Sequence, residues 1–178
     1  MPIRLFGPVL LLVFGGACTR PLRLSGNPIS PTEPLLSGVV RYLFASWAPQ
    51  GPVALADSVI DMPGRAQSTI RGYWAADARR GFAQAIAALA DKSGQKRQLD
   101  AEVVRALPPH VVVSPGLATS GTIRARLSHV ALSPDSLFAV AYLEIDCGPL
   151  CGHGALYFFA RRPGCDWTYW DRVGYWRS

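Results

Sequence analysis

The chain has 178 residues, of which 49% are apolar and only 17% charged, which excludes a disordered or fibrous chain and suits one domain with a single core. The formal charge is +6, but its 16 arginines and two lysines form no run longer than two. A nucleic-acid binder gathers such residues on one face, so no nucleic-acid partner is expected, and the excess reads as a solvated surface with some attraction for anionic lipid.

Residues 1–17 have the three-part layout of a secretory signal. Arg4 supplies a basic start, Leu5 to Phe14 an apolar middle broken only by Gly7 and Pro8, and Gly15, Gly16 and Ala17 a small-residue cleavage zone. The apolar run is shorter than the roughly 20 residues a spanning helix needs, and Pro8 opposes a buried core helix. Cys18 follows at once. Together with Gly16 and Ala17 it resembles the lipobox of bacterial lipoproteins, in which a cysteine after a small residue becomes the lipidated N-terminus. Gly15 departs from the aliphatic residue that pattern prefers, which leaves ordinary secretory cleavage as the alternative. The resemblance implies acyl chains such as palmitate on Cys18, a membrane lipid as partner, and a place in the bacterial cell envelope facing the periplasm or exterior. Residues 18–33 contain Pro21, Pro28 and Pro31 with Ser25, Gly26 and Asn27, the composition of an extended tether. The folded domain is expected over 34–178.

Within it, Leu36, Val40, Leu43, Phe44 and Trp47 share one helical face, and Pro49 with Gly51 ends that helix. Val53 to Ile60 reads as a strand closed by Met62-Pro63-Gly64. Arg65 to Ala78 is ambiguous. Phe82, Ala85, Ile86 and Leu89 mark a second helix over about 79–90, rich in alanine and stopped by Ser93-Gly94. A short helix at 101–106, a brief strand at 110–113 and a loop at 115–121 follow.

Four strands are expected beyond that, at 123–132, 137–147, 154–161 and 167–176. Leu137, Ala139, Ala141, Leu143, Ile145 and Cys147 alternate to give one wholly apolar face, and Phe138, Val140, Tyr142, Glu144 and Asp146 a mixed one. Ser133-Pro134-Asp135 and Pro163-Gly164 are compact turns, which make neighbouring strands antiparallel. The expected fold is therefore α+β: an antiparallel meander of about four C-terminal strands with two N-terminal helices packed on one face.

The most unusual stretch is Asp146-Cys147-Gly148-Pro149-Leu150-Cys151-Gly152-His153-Gly154, at the mouth of a hairpin. In an oxidising compartment Cys147 and Cys151 are expected to pair as a structural disulfide. Two other chemistries are open. One is thiol redox, because Cys-Gly-Pro-Leu-Cys contains the four residues of the thioredoxin Cys-Gly-Pro-Cys; it has one residue more and lies between strands, without the helix N-terminus that lowers a catalytic thiol's pKa. The other is a zinc site drawn from Cys147, Cys151, His153 and Cys165. If Cys18 carries lipid, Cys165 is left over, and the simplest role for it is a small, partly buried side chain.

Residues 126–178 resemble the C-terminal part of an uncharacterised family of bacterial exported proteins and lipoproteins. The match runs through Ser128-His129-Val130-Ala131-Leu132-Ser133-Pro134-Asp135, the apolar strand Leu137 to Ile145, the double-cysteine stretch Cys147 to Gly154, Trp167 and Trp176-Arg177-Ser178. The resemblance implies that the cysteine pair is a family feature and that Ser178 is a domain end. It transfers no activity, and Cys165 lies outside the pattern.

No nucleophile elbow, phosphate-binding Gly-Lys-Ser/Thr loop or His-Glu-x-x-His pair is present. His110, His129 and His153 are far apart and read as structural. Asp57, Asp61, Glu144 and Asp146 read as solvated carboxylates. The aromatic residues Tyr157, Phe158, Phe159, Trp167, Tyr169, Trp170, Tyr175 and Trp176 read as packing, with a ligand groove as the alternative. The expectation is a non-enzymatic envelope module without a cofactor, binding an unidentified protein or small molecule.

Overall fold

A computed structural model describes residues 36–46, 48–62, 70–72, 74–92, 98–115, 123–148, 151–162 and 165–177. The signal segment, the tether, Cys18, Trp47 and Ser178 lie outside the described residues. The elements in chain order are α1 (Ser37–Ala45), a 3-10 turn (Ala48–Gln50), β1 (Val53–Ala56), α2 (Ala76–Asp91), α3 (Ala101–Ala106), β2 (Val111–Ser114), β3 (Ile123–Leu127), β4 (Ala131–Leu132), β5 (Phe138–Asp146), β6 (His153–Ala160) and β7 (Thr168–Arg177). No described helix is long and apolar enough to cross a membrane.

All seven described strands join one sheet, ordered β2-β1-β3-β5-β6-β7, with the two-residue β4 also paired to β5. The mixed α and β content agrees with the sequence, but the sheet extends well past a four-stranded meander. β1 pairs in parallel with both β2 and β3, and the remaining pairs are antiparallel. Parallel neighbours need a crossover, and the chain between β1 and β2 supplies one through α2 and α3. Such pairing joins segments far apart in sequence, and no local turn signal announces it.

The placement of the helices also differs from expectation. Val39, Val40, Leu43 and Phe44 of α1 pack with Ala139, Ala141, Leu143 and Ile145 of β5. Phe82, Ala85, Ile86 and Leu89 of α2 pack with Val140 and Tyr142, the alternate residues of the same strand. Successive residues of a strand point to opposite faces, so α1 and α2 cover opposite sides of the sheet. The mixed face of β5 is therefore a second core: Val140 is 0% and Tyr142 1% exposed. The α2 stripe is the one its spacing indicates, although the helix begins three residues earlier, at Ala76. α3 is capped by the Asp100 side chain, which accepts from the Glu102 amide at 2.9 Å. Glu102 in turn accepts from the Leu36 amide at 3.0 Å, tying α3 to the start of α1.

The single strand expected over 123–132 is broken at Ser128 into β3 and β4. Ser128 is buried. Its hydroxyl accepts from the Tyr142 amide at 2.8 Å and donates to the His129 carbonyl at 2.8 Å. Downstream, Ser133 and Asp135 build the β4–β5 turn. The Ser133 hydroxyl donates to Asp135 and accepts from the Phe138 amide, while Asp135 accepts from the Leu137 amide at 3.0 Å. These hydrogen bonds hold the Asp135 carboxyl below its ordinary pKa. Both serines of the Ser128-to-Asp135 segment thus serve backbone groups. Ser128→Ala is expected to cost about 1–2 kcal/mol, since it leaves a buried amide unsatisfied; urea unfolding checks this, and an unchanged midpoint would refute the role given to the hydroxyl.

β7 is an edge strand of ten residues. Register shifts opposite Gly154/Ala155 and Phe158/Phe159 interrupt its pairing with β6. With Asp171, Arg172 and Arg177 along it, this edge is protected against adding a further strand.

Candidate functional site

The β5–β6 hairpin ends in a covalent ring. Cys147 and Cys151 form a disulfide with their Cα atoms 5.2 Å apart, inside the usual span for such a bond. The loop closes because Gly148 adopts φ +116°, a conformation glycine reaches without strain. Its amide donates to Asp146 Oδ1 at 3.1 Å, and its carbonyl accepts from the Cys151 amide at 3.3 Å. The pair joins the end of one strand to the start of the next, so neither sulfur sits at a helix N-terminus, and the feature that lowers a catalytic thiol's pKa is missing from the pair.

Cys165 is half-buried. Bonded to each other, Cys147 and Cys151 offer no thiolate to stand beside His153. Among the described residues no group of three or more His, Cys, Asp or Glu side chains gathers in a way that could hold a metal.

Beside the ring lies an open groove of about 330 Å³ between β6 and β7. The β6–β7 register builds it. His153 pairs with Arg177, Ala155 with Gly174, and Tyr157 with Arg172; cross-strand partners share a face, so one face presents His153, Arg172 and Arg177 around a floor of Ala155 and Gly174. A Cβ placed on Gly174 would meet no atom within 4 Å, so the space above the floor is open. Gly152 and Trp176 complete the rim. Arg172 is steadied by a hydrogen bond to Tyr157, which raises its pKa. Burial first, then the charges of Arg172 and Arg177, push the His153 imidazole below its ordinary pKa.

The carboxylates at this end of the sheet lie on the other face. Asp146 pairs with Arg124, and Glu144 with Arg126 at 3.2 Å. These pairs are solvent-exposed in part and add little to stability. Glu144 also accepts from the Tyr142 hydroxyl at 3.0 Å, and that hydroxyl accepts from Trp176 Nε1 at 3.2 Å. Burial above all pushes the Tyr142 hydroxyl up to about 12, so it stays a donor at neutral pH.

The other sequence candidates fall elsewhere. His110 Nε2 donates to the Phe44 carbonyl at 3.0 Å, joining the start of β2 to the end of α1. His129 belongs to the β3–β4 break. Tyr157, Phe158 and Phe159 are core, whereas Tyr169, Trp170 and Trp176 are exposed, and of the aromatic set only Trp176 lines the groove. Arg172 and Arg177 were not singled out by the sequence. Their five-residue spacing carries no motif, and only the bulged register brings them to one face. The chain matches no protein-family model, no curated protein and no solved structure.

Proposed function

We propose that the chain is a bacterial envelope lipoprotein, anchored through Cys18, whose domain is a non-enzymatic binding module. The observation that carries this reading is the Cys147–Cys151 disulfide, a bond that persists in exported compartments and is rare in the cytosol. It agrees with the signal layout of residues 1–17. The groove beside it supports binding: its lining brings Arg172, Arg177 and His153 beside a bonded cystine.

The anchor has a definite chemical consequence. The sequence holds four cysteines, and with Cys147 bonded to Cys151 the remaining two are Cys18 and Cys165. A thioether to lipid at Cys18 and a disulfide from the same sulfur exclude each other. Intact mass and a thiol count on protein taken from the membranes of an expressing bacterium decide between them. The expected result is loss of residues 1–17, added lipid mass on Cys18, and a Cys147–Cys151 bond that resists mild reductant. A processed chain with no lipid and no thiol overturns the anchor. A full-length chain in the cytosol with four reduced thiols overturns export. A bond that opens readily and reversibly favours thiol redox instead. Replacing both Cys147 and Cys151 by serine is expected to cost about 2 kcal/mol, from the small ring the bond closes.

A further inference from the structure

We propose that the groove between β6 and β7 binds the phosphate group of an anionic ligand, with Arg172, Arg177 and His153 as its donors. This rests on reading the domain as a binding module and names the chemistry of what it binds.

The argument begins with charge separation. Strand alternation sends Glu144 and Asp146 to one face, where Arg126 and Arg124 neutralise them. Arg172 and Arg177 lie on the other face, and among the described residues neither is in a salt bridge. No lining residue of the groove is acidic. Two exposed guanidiniums and an imidazole therefore converge with no acidic side chain among the described lining residues between them. Like charges gathered in this way raise the energy of the empty site, and an entering anion relieves it.

The donor count favours phosphate over carboxylate. Each guanidinium presents a planar fork of N–H groups, and two forks with an imidazole supply more donors than the two oxygens of a carboxylate can accept. A phosphate presents three or four oxygens. Shape agrees: Ala155 and Gly174 keep the floor low, and about 330 Å³ holds a phosphate with a small substituent. The hydrogen bond from Arg172 to Tyr157 holds that guanidinium in place before the ligand arrives. Burial first, then its two cationic neighbours, lower the imidazole pKa, and a bound anion would oppose the second of these effects.

The shared chemistry can come from a free phosphate ester or from a phospholipid headgroup, and two soluble probes separate the sources. The full processed chain in detergent is titrated with inorganic phosphate and, separately, with glycerophosphoglycerol, the headgroup of an anionic phosphodiester lipid. NMR follows the His153 ring and the amides of Gly152 and Gly174. Saturable shifts at these positions are expected for at least one probe. Tighter binding of phosphate assigns the site to a monoester or free phosphate, and tighter binding of the diester assigns it to a headgroup. Arg172→Gln and Arg177→Gln are each expected to weaken binding by about tenfold or more. Gly174→Leu is expected to abolish it by filling the space, with the fold intact by circular dichroism. Shifts that never saturate with either probe, or that the double arginine variant leaves unchanged, overturn the proposal. Such a result leaves the envelope reading untouched, because that reading stands or falls on the mass of Cys18.

Discussion

Phe82→Ala is expected to lower stability by about 3–5 kcal/mol, among the most damaging substitutions in the domain. Phe82 is 0% exposed and is the hub of the second core. Its ring meets Trp74 at 5.1 Å, Phe138 at 5.0 Å and Phe158 at 5.2 Å between centroids, the latter two edge to face. Trp170 of the edge strand approaches at 5.8 Å. Truncation removes the buried ring and leaves a cavity bounded by rigid aromatic walls, which collapse poorly. The edge-to-face contacts add to the loss beyond area burial. Thermal unfolding is expected to shift downward by on the order of 10 °C. A shift of only a degree or two would show that α2 does not anchor the second face through this ring.

Gly81→Val is expected to cost about 3 kcal/mol, near the upper end for overpacking. The reason is an approach that only glycine permits: a Cβ at position 81 would overlap Cδ2 and Cε2 of the Phe138 ring. α2 must lift from β5, or the Phe138 ring must leave its contact with Phe82. Helix propensity pulls the other way, since glycine is poor in a helix interior, so a destabilising result is informative. In a Phe138→Ala background the atoms that block the Cβ are gone, and the cost of Gly81→Val is expected to fall below about 1 kcal/mol. The double-mutant cycle reads this coupling directly. Strictly additive costs would mean that the Phe138 ring is not what Gly81 accommodates.

Both substitutions act on the α2–sheet interface, the part of the fold where sequence and structure divide most clearly. The stripe of Phe82, Ala85, Ile86 and Leu89 is legible because helical spacing is local, and so is the alternation of β5. What that alternation faces is not local. Val140 and Tyr142 look like the open side of a half-buried strand, flanked as they are by Glu144 and Asp146. They are buried because α2 returns over them, while the carboxylates lie near the strand end, ion-paired to Arg126 and Arg124. Helices on one face and helices on two faces leave nearly the same pattern in β5 when the second core is short and ends in acidic residues.

The candidate site divides in the same way. Cys147 and Cys151 stand out in the sequence because two cysteines and several glycines at a hairpin mouth form a local constellation, and the disulfide follows from their spacing. The groove beside them is built from His153, Arg172 and Arg177, residues about twenty apart in sequence that become neighbours through the β6–β7 register. That register shifts at Gly154/Ala155, and a one-residue slip exchanges the faces of a strand.

Local residue spacing specifies the amphipathic helices, the alternating C-terminal strands, the serine-built turn at Ser133 and the cysteine ring, because each depends on residues a few positions apart. Long-range assembly sets the parallel pairing of β1 with β2 and β3, the placement of α1 and α2 on opposite faces, and the gathering of cations where no described carboxylate neutralises them. Those outcomes depend on which distant segments exclude water together, and the free energy of that choice belongs to the assembled sheet rather than to any window along the chain.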